Sequence, residues 1–242
     1  MAASAESLAL AAPELAEERI LARSRGENFP VAPALLPRRV REALLAVYGF
    51  ARLADELGDT AAGDRLALLA ALEAELERAY AGSARHPLLQ RLAPVLHERA
   101  LPREPFLRLI EANRRDQRLT RLASFDELLD YCALSAQPVG ELVLRIFGQA
   151  SPRNLELSNA VCSALQVIEH CQDVAEDHAR GRVYLPADDL AELGCADAEL
   201  ARLPPSPALR RVLARQLGRA RAALASQSAR SSPSQVARPP AA

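Results

Sequence analysis

Two stretches of this chain place polar side chains, most of them carboxylates, at intervals that a helix turns onto one face. Tyr48, Arg52, Asp55 and Asp59 follow one another at spacings of 4, 3 and 4, and Gln166, Glu169, Asp173 and Asp177 at 3, 4 and 4. Carboxylates one turn apart lie about 6 Å from each other along a helix axis, close enough to share a cluster of cations. Neither set uses His or Cys, and hard oxygen ligands on rigid helices suit Mg²⁺ better than zinc. Mg²⁺ keeps several waters and bridges a few carboxylates to phosphate oxygens, so the predicted ligand is a phosphorylated or diphosphorylated compound. Arg52 and the Arg180, Arg182 and Tyr184 of "RGRVYLP" offer partners for phosphate oxygens that metal leaves uncovered.

Both stretches strain a local rule. In "FARLADELGDT", residues 50 to 60, the acids gather at the C-terminal end of an otherwise apolar helix, and Glu176 and Asp177 sit just before Gly181, the expected stop of the second helix. Negative charge there opposes the helix dipole by about 0.3–1 kcal/mol each. A single DxxxD is an ordinary solvated face. Two that break the same rule in the same way point to a shared compensation, which divalent cations supply.

The elements that must carry these residues are helices. Ala, Leu, Glu and Arg dominate the 242 residues, Trp is absent, and no alternating stretch is long enough for a strand. Apolar periodicity punctuated by Pro and Gly predicts helices over about 13–24, 38–57, 64–81, 87–99, 103–118, 125–148, 153–179 and 207–225. "SFDE" at 124–127 fits a capping box. One domain over 1–225 is expected, followed by a Ser/Pro/Ala-rich tail over 226–242 with the composition of disorder.

Other function classes find no support. A formal net charge of −1 argues against nucleic acid as partner. Cys132, Cys162, Cys171 and Cys195 lack metal-site spacing and read as small residues of a reduced, cytoplasmic protein. The N-terminus lacks the basic region of a signal peptide, and no apolar run reaches the roughly 18 residues of a spanning helix, so at most one side of a membrane is touched. No Gly-rich nucleotide motif is present, and NADPH is not expected. His170 reads as a packed interior or edge histidine, and Tyr131 as a packing residue whose hydroxyl finds a backbone partner. Asp116 of "RRDQR" either joins the polar end of a cavity or pairs with a nearby arginine.

"ENFPVAPALLP" (27–37), "VYGFARLADELGD" (47–59), "YCALSAQPVGELVL" (131–144) and "ALQVIEHCQDVAEDHARGRVYLP" (164–186) together resemble the squalene and phytoene synthase family, the head-to-head trans-isoprenyl diphosphate synthases. The resemblance implies an all-α isoprenoid synthase bundle with a central cavity. It implies Mg²⁺ and diphosphate binding by Asp55, Asp59, Asp173 and Asp177, with Glu169 as a further ligand where most members carry Asn. Arg52, Tyr48, Gln166, Arg182 and Tyr184 are implied to contact or line the diphosphate site, and Tyr131 to act near the reacting carbons. Phe29, Leu134, Ala136, Val139 and Leu165 are implied to hold the apolar chain.

"ENFPVA" and "EHCQDVAED" are similar to the branch found in hopanoid gene clusters. That similarity implies conversion of presqualene diphosphate and water to hydroxysqualene and diphosphate. The alternatives are head-to-head condensation of two farnesyl or geranylgeranyl diphosphates, and a non-catalytic homologue that binds isoprenoid diphosphate or a partner synthase. Peripheral contact with the inner face of a membrane for product release, and partner enzymes of the hopanoid pathway, belong to the same expectation. Family members continue past the 207–225 helix with further helices of the cavity wall, so the chain is expected to lack the last of them and to be less stable or dimeric, with weak or no turnover.

Overall fold

The computed structural model describes residues 17–24 and 31–230. Within them the chain is helical and contains no strand. Helix α1 spans Glu17–Arg23, α2 Arg38–Asp59, α3 Arg65–Tyr80, α4 Pro87–Glu98, α5 Glu104–Asp116 and α6 Phe125–Ser135. They are followed by α7 Gln137–Ile146, α8 Pro152–Gln172, α9 Val174–Ala179, α10 Ala187–Glu192 and α11 Pro207–Arg230.

Starts are set by side-chain caps. Asp64 accepts from the Ala67 N–H at 3.0 Å, and Ser151 from that of Asn154 at 3.2 Å, with Pro152 at the first helical position. Ser124 accepts from the Glu127 N–H at 3.2 Å as "SFDE" predicts, while the Glu127 carboxylate reaches one residue further back, to the Ala123 N–H at 2.7 Å.

Two expected helices are each divided. The one over 125–148 breaks at Ala136 because Pro138 enters the first turn of α7, lacking an N–H to continue the ladder. The one over 153–179 breaks at Asp173, whose ψ of 9° ends α8 and starts α9. That second break corrects the dipole argument: Glu176 and Asp177 lie in the first turn of α9, where the dipole favours negative charge. The six-residue α10 was too short to show periodicity, and α11 runs to Arg230 rather than ending near 225. The tail from 231, the first turns of the 13–24 helix, and Phe29 lie outside the described residues.

α2 is the central helix of one core. It packs against α3, α4, α5 and α7, with Phe50 meeting Phe106 edge-on at 4.9 Å between ring centroids. α8 is the axis of a second core, between α6, α7 and α11. A short pairing joins them: Arg121 and Val183 form a parallel bridge, in which the Val183 N–H donates to the Thr120 carbonyl at 3.0 Å and the Leu122 N–H to the Val183 carbonyl at 3.3 Å. This lays 182–185 against the C-terminal end of α5.

Candidate active site

Every residue of α2 from Ala43 to Gly58 is buried except Leu45, Tyr48, Ala51, Arg52 and Asp55. Tyr48, Arg52, Asp55 and, at the helix end, Asp59 form the accessible stripe, as their spacing predicted. Asp55 is reached by water, yet its carboxyl is pushed up to about 6, chiefly by burial, against the lowering effects of the Asn113 amide and Arg52, with Asp59 and Asp116 repelling it. Arg52 pairs with Glu56 at 3.0 Å, and its Nε is a buried donor with no partner. Glu56 is buried and also takes Arg23 and the Thr60 hydroxyl.

The second stripe lies on α8. Val161 and Leu165, 42% and 58% exposed, precede Glu169 and Asp173 at intervals of one turn, so an apolar surface leads into the acids. Asp173 stands exposed at the α8–α9 junction, its pKa raised by what burial it has and by Asp177 and Glu176. Gln166 and Asp177 flank His170, at 3.3 Å from Nε2 and 3.7 Å from Nδ1. His170 is 7% exposed and stacks on Tyr184 at 4.0 Å between centroids, the packed interior position expected for it.

The two acidic helices meet through Arg182. Its backbone N–H donates to the Asp177 carbonyl at 2.9 Å, while its guanidinium donates to the Asp59 carboxylate at 2.6 Å. Asp116 ties in the rest: the Tyr131 hydroxyl donates to Oδ2 at 2.7 Å, the Tyr184 hydroxyl to Oδ1 at 2.9 Å, and Arg182 Nη1 lies 3.7 Å away. Tyr131 therefore finds a carboxylate rather than the expected backbone partner, and Asp116 joins the polar end of the site with Arg182 as its nearby arginine.

Asn113 and Gln117 are not among the residues expected from the sequence, and Asp116 is not among the expected catalytic residues. Asn113 donates to Asp55 at 3.2 Å, and Gln117 donates to the Gly58 carbonyl at 2.8 Å at the end of α2. The available signal was spacing: Asn113, Asp116 and Gln117 recur at helical intervals within "ANRRDQR", masked by the arginines between them.

Among the described residues no three acidic, imidazole or thiol groups converge closely enough to hold a metal ion unaided. The four cysteines are free, and burial pushes the Cys132 thiol up to about 12 and that of Cys171 to about 11, leaving them inert. No helix of the described residues is long and apolar enough to cross a membrane.

Comparison with known proteins agrees on one family. The sequence model of squalene/phytoene synthases matches residues 22–241. The chain is 37% identical over 193 residues to the hydroxysqualene synthase of Rhodopseudomonas palustris, covering 78% of this chain and 65% of that protein. With the hydroxysqualene synthase of Zymomonas mobilis it shares 36% over 192 residues, covering 77% and 64%. The chain thus spans just under two thirds of the length of these relatives. Among solved structures, squalene synthase HpnC from Alicyclobacillus acidocaldarius is similar with a TM-score of 0.79 at 43% identity, over 91% of this chain and 86% of that one. A dehydrosqualene synthase crystallised with a ligand shares the fold, at a TM-score of 0.75, 22% identity and coverage of 89% and 78%.

Proposed function

This chain belongs to the squalene/phytoene synthase family, and from that membership we propose that it converts presqualene diphosphate and water to hydroxysqualene with release of diphosphate. The observation that carries the choice within the family is the likeness to hydroxysqualene synthases at 36–38% identity. The geometry supports diphosphate chemistry. Asp59 at the end of α2 and Asp116 at the end of α5 both face the Arg182 guanidinium, and a second arginine, Arg52, keeps an orphan donor on the open stripe of α2.

Asp55 and Asp59 on α2, and Glu169, Asp173 and Asp177 on α8 and α9, would hold Mg²⁺; when bound, it supplies Lewis-acid stabilisation of charge on the departing diphosphate. Arg52 and Arg182 add fixed positive charge that needs no reorganisation as negative charge builds. Val161 and Leu165 give the apolar chain a surface contiguous with that polar end, which keeps water from the carbon skeleton.

The likeness to squalene synthase HpnC, at 43% identity, favours a second reading, condensation of two farnesyl diphosphates. Incubation with Mg²⁺ and either presqualene diphosphate or farnesyl diphosphate, followed by gas chromatography, separates the two. Hydroxysqualene from presqualene diphosphate, with farnesyl diphosphate untouched, is the expected result. Consumption of farnesyl diphosphate alone overturns it in favour of condensation. Binding of both without product leaves a non-catalytic isoprenoid diphosphate binder.

A further inference from the structure

A phenol has one hydrogen to donate, and in this structure the hydrogens of Tyr131 and Tyr184 go to the same carboxylate. Asp116 spends one oxygen on each, at 2.7 and 2.9 Å. The Tyr184 oxygen in turn accepts from Arg182 Nη1 at 3.3 Å. Tyr131 is 5% exposed and its ring is fixed by its neighbours: Tyr184 at 5.1 Å, His170 at 5.8 Å and the Arg115 guanidinium at 5.9 Å from its centroid. Arg182 is shared with Asp59, so it does not neutralise Asp116 alone.

We propose that Asp116 is a positioning residue that, by taking the Tyr131 hydroxyl hydrogen, makes the Tyr131 oxygen meet a bound ligand only as an electron-rich acceptor, suited to positive charge on an isoprenoid chain. The inference rests on the reading that such charge develops here once diphosphate departs. A donor hydroxyl would repel that charge; an acceptor polarised by an anion behind it attracts it. Burial, followed by the charge of Asp116, raises the pKa of both phenols, which keeps each hydrogen on its oxygen and in its bond to Asp116.

The test compares binding of farnesyldimethylamine, an ammonium at neutral pH, with neutral farnesol by calorimetry, using the full chain and its Asp116→Asn and Tyr131→Phe variants. The wild-type chain is expected to prefer the ammonium, and each variant to lose about tenfold of that preference, the scale of one charge-assisted contact, with farnesol affinity unchanged. Equal weakening for both ligands means a merely structural role and overturns the proposal. So does loss in Asp116→Asn with preference retained in Tyr131→Phe, which makes Asp116 itself the attracting charge. If Asp116→Asn does not fold, Asp116→Glu, which shifts the carboxylate away from the Tyr131 hydroxyl, takes its place, and full preference retained in it overturns the proposal. No preference in the wild type also overturns it. A wild-type chain that prefers the ammonium yet leaves presqualene diphosphate unchanged sustains this inference while the activity reading fails.

Discussion

The guanidinium of Arg182 lies 2.6 Å from the carboxylate of Asp59, although 123 positions separate them along the chain. This contact supplies in the metal-free protein the compensation that negative charge at the end of α2 requires. Replacing Arg182 with Ala leaves Asp59 part-buried without its partner, and chemical denaturation is expected to show a loss of about 1–3 kcal/mol. Calorimetric titration with inorganic diphosphate and Mg²⁺ should show affinity reduced at least tenfold. Unchanged diphosphate affinity would remove Arg182 from the binding site.

Asp55 gives the apo protein a specific pH dependence. Its folded pKa of about 6 lies above its unfolded value near 4, so its contribution to stability is complete below pH 4 and is lost as pH rises through 6. Thermal melting of Asp55→Asn should lack that component and exceed the wild type at pH 7 without metal. Mg²⁺ with diphosphate should bind the wild type more tightly as pH rises through 6 and reverse part of the loss.

Gly58 sits where α2 and α5 nearly touch. A Cβ there would overlap the Asn113 side chain, which cannot swing away without giving up its bonds to Asp55 and to the Leu109 carbonyl at 3.1 Å. Gly58→Ala is expected to destabilise by about 1–3 kcal/mol despite the better helix propensity of Ala, read as a lowered denaturation midpoint. Asp55, deprived of the Asn113 donor, should titrate at a higher pH than in the wild type.

One buried acid ties α11 to α10. Asp189 on α10 accepts from Arg215, Gln216 and Arg219 on α11; burial raises its pKa, but these bonds outweigh it and hold the carboxyl below its usual range. Asp189→Ala leaves Arg219 and the buried Gln216 without their carboxylate, while Arg215 keeps Glu192, and should cost about 3 kcal/mol. Hydrogen exchange should show the loss concentrated in α11.

How much could be read beforehand depended on the range of the interaction. Helix positions followed from periodicity and caps, which involve residues within four of one another, as at Ser124 and Glu127. The breaks at Ala136 and Asp173 were missed because an amphipathic pattern runs on through a change of axis. Pro138 was the local clue to the first, while Asp173 carried no comparable signal.

The amino-acid order alone determined that this is a helical protein with one stripe of Tyr48, Arg52, Asp55 and Asp59 and another of Gln166, Glu169, Asp173 and Asp177, since side chains one turn apart share a face whatever the helix packs against. Tertiary structure decided what those stripes meet. Only the pairing of Arg121 with Val183 brings Arg182 to Asp59 and Tyr184 to Asp116, and only the packing of α5 on α2 gives Asp55 the Asn113 amide. Such contacts depend on three-dimensional closure of long loops, and no spacing rule along a single chain encodes them.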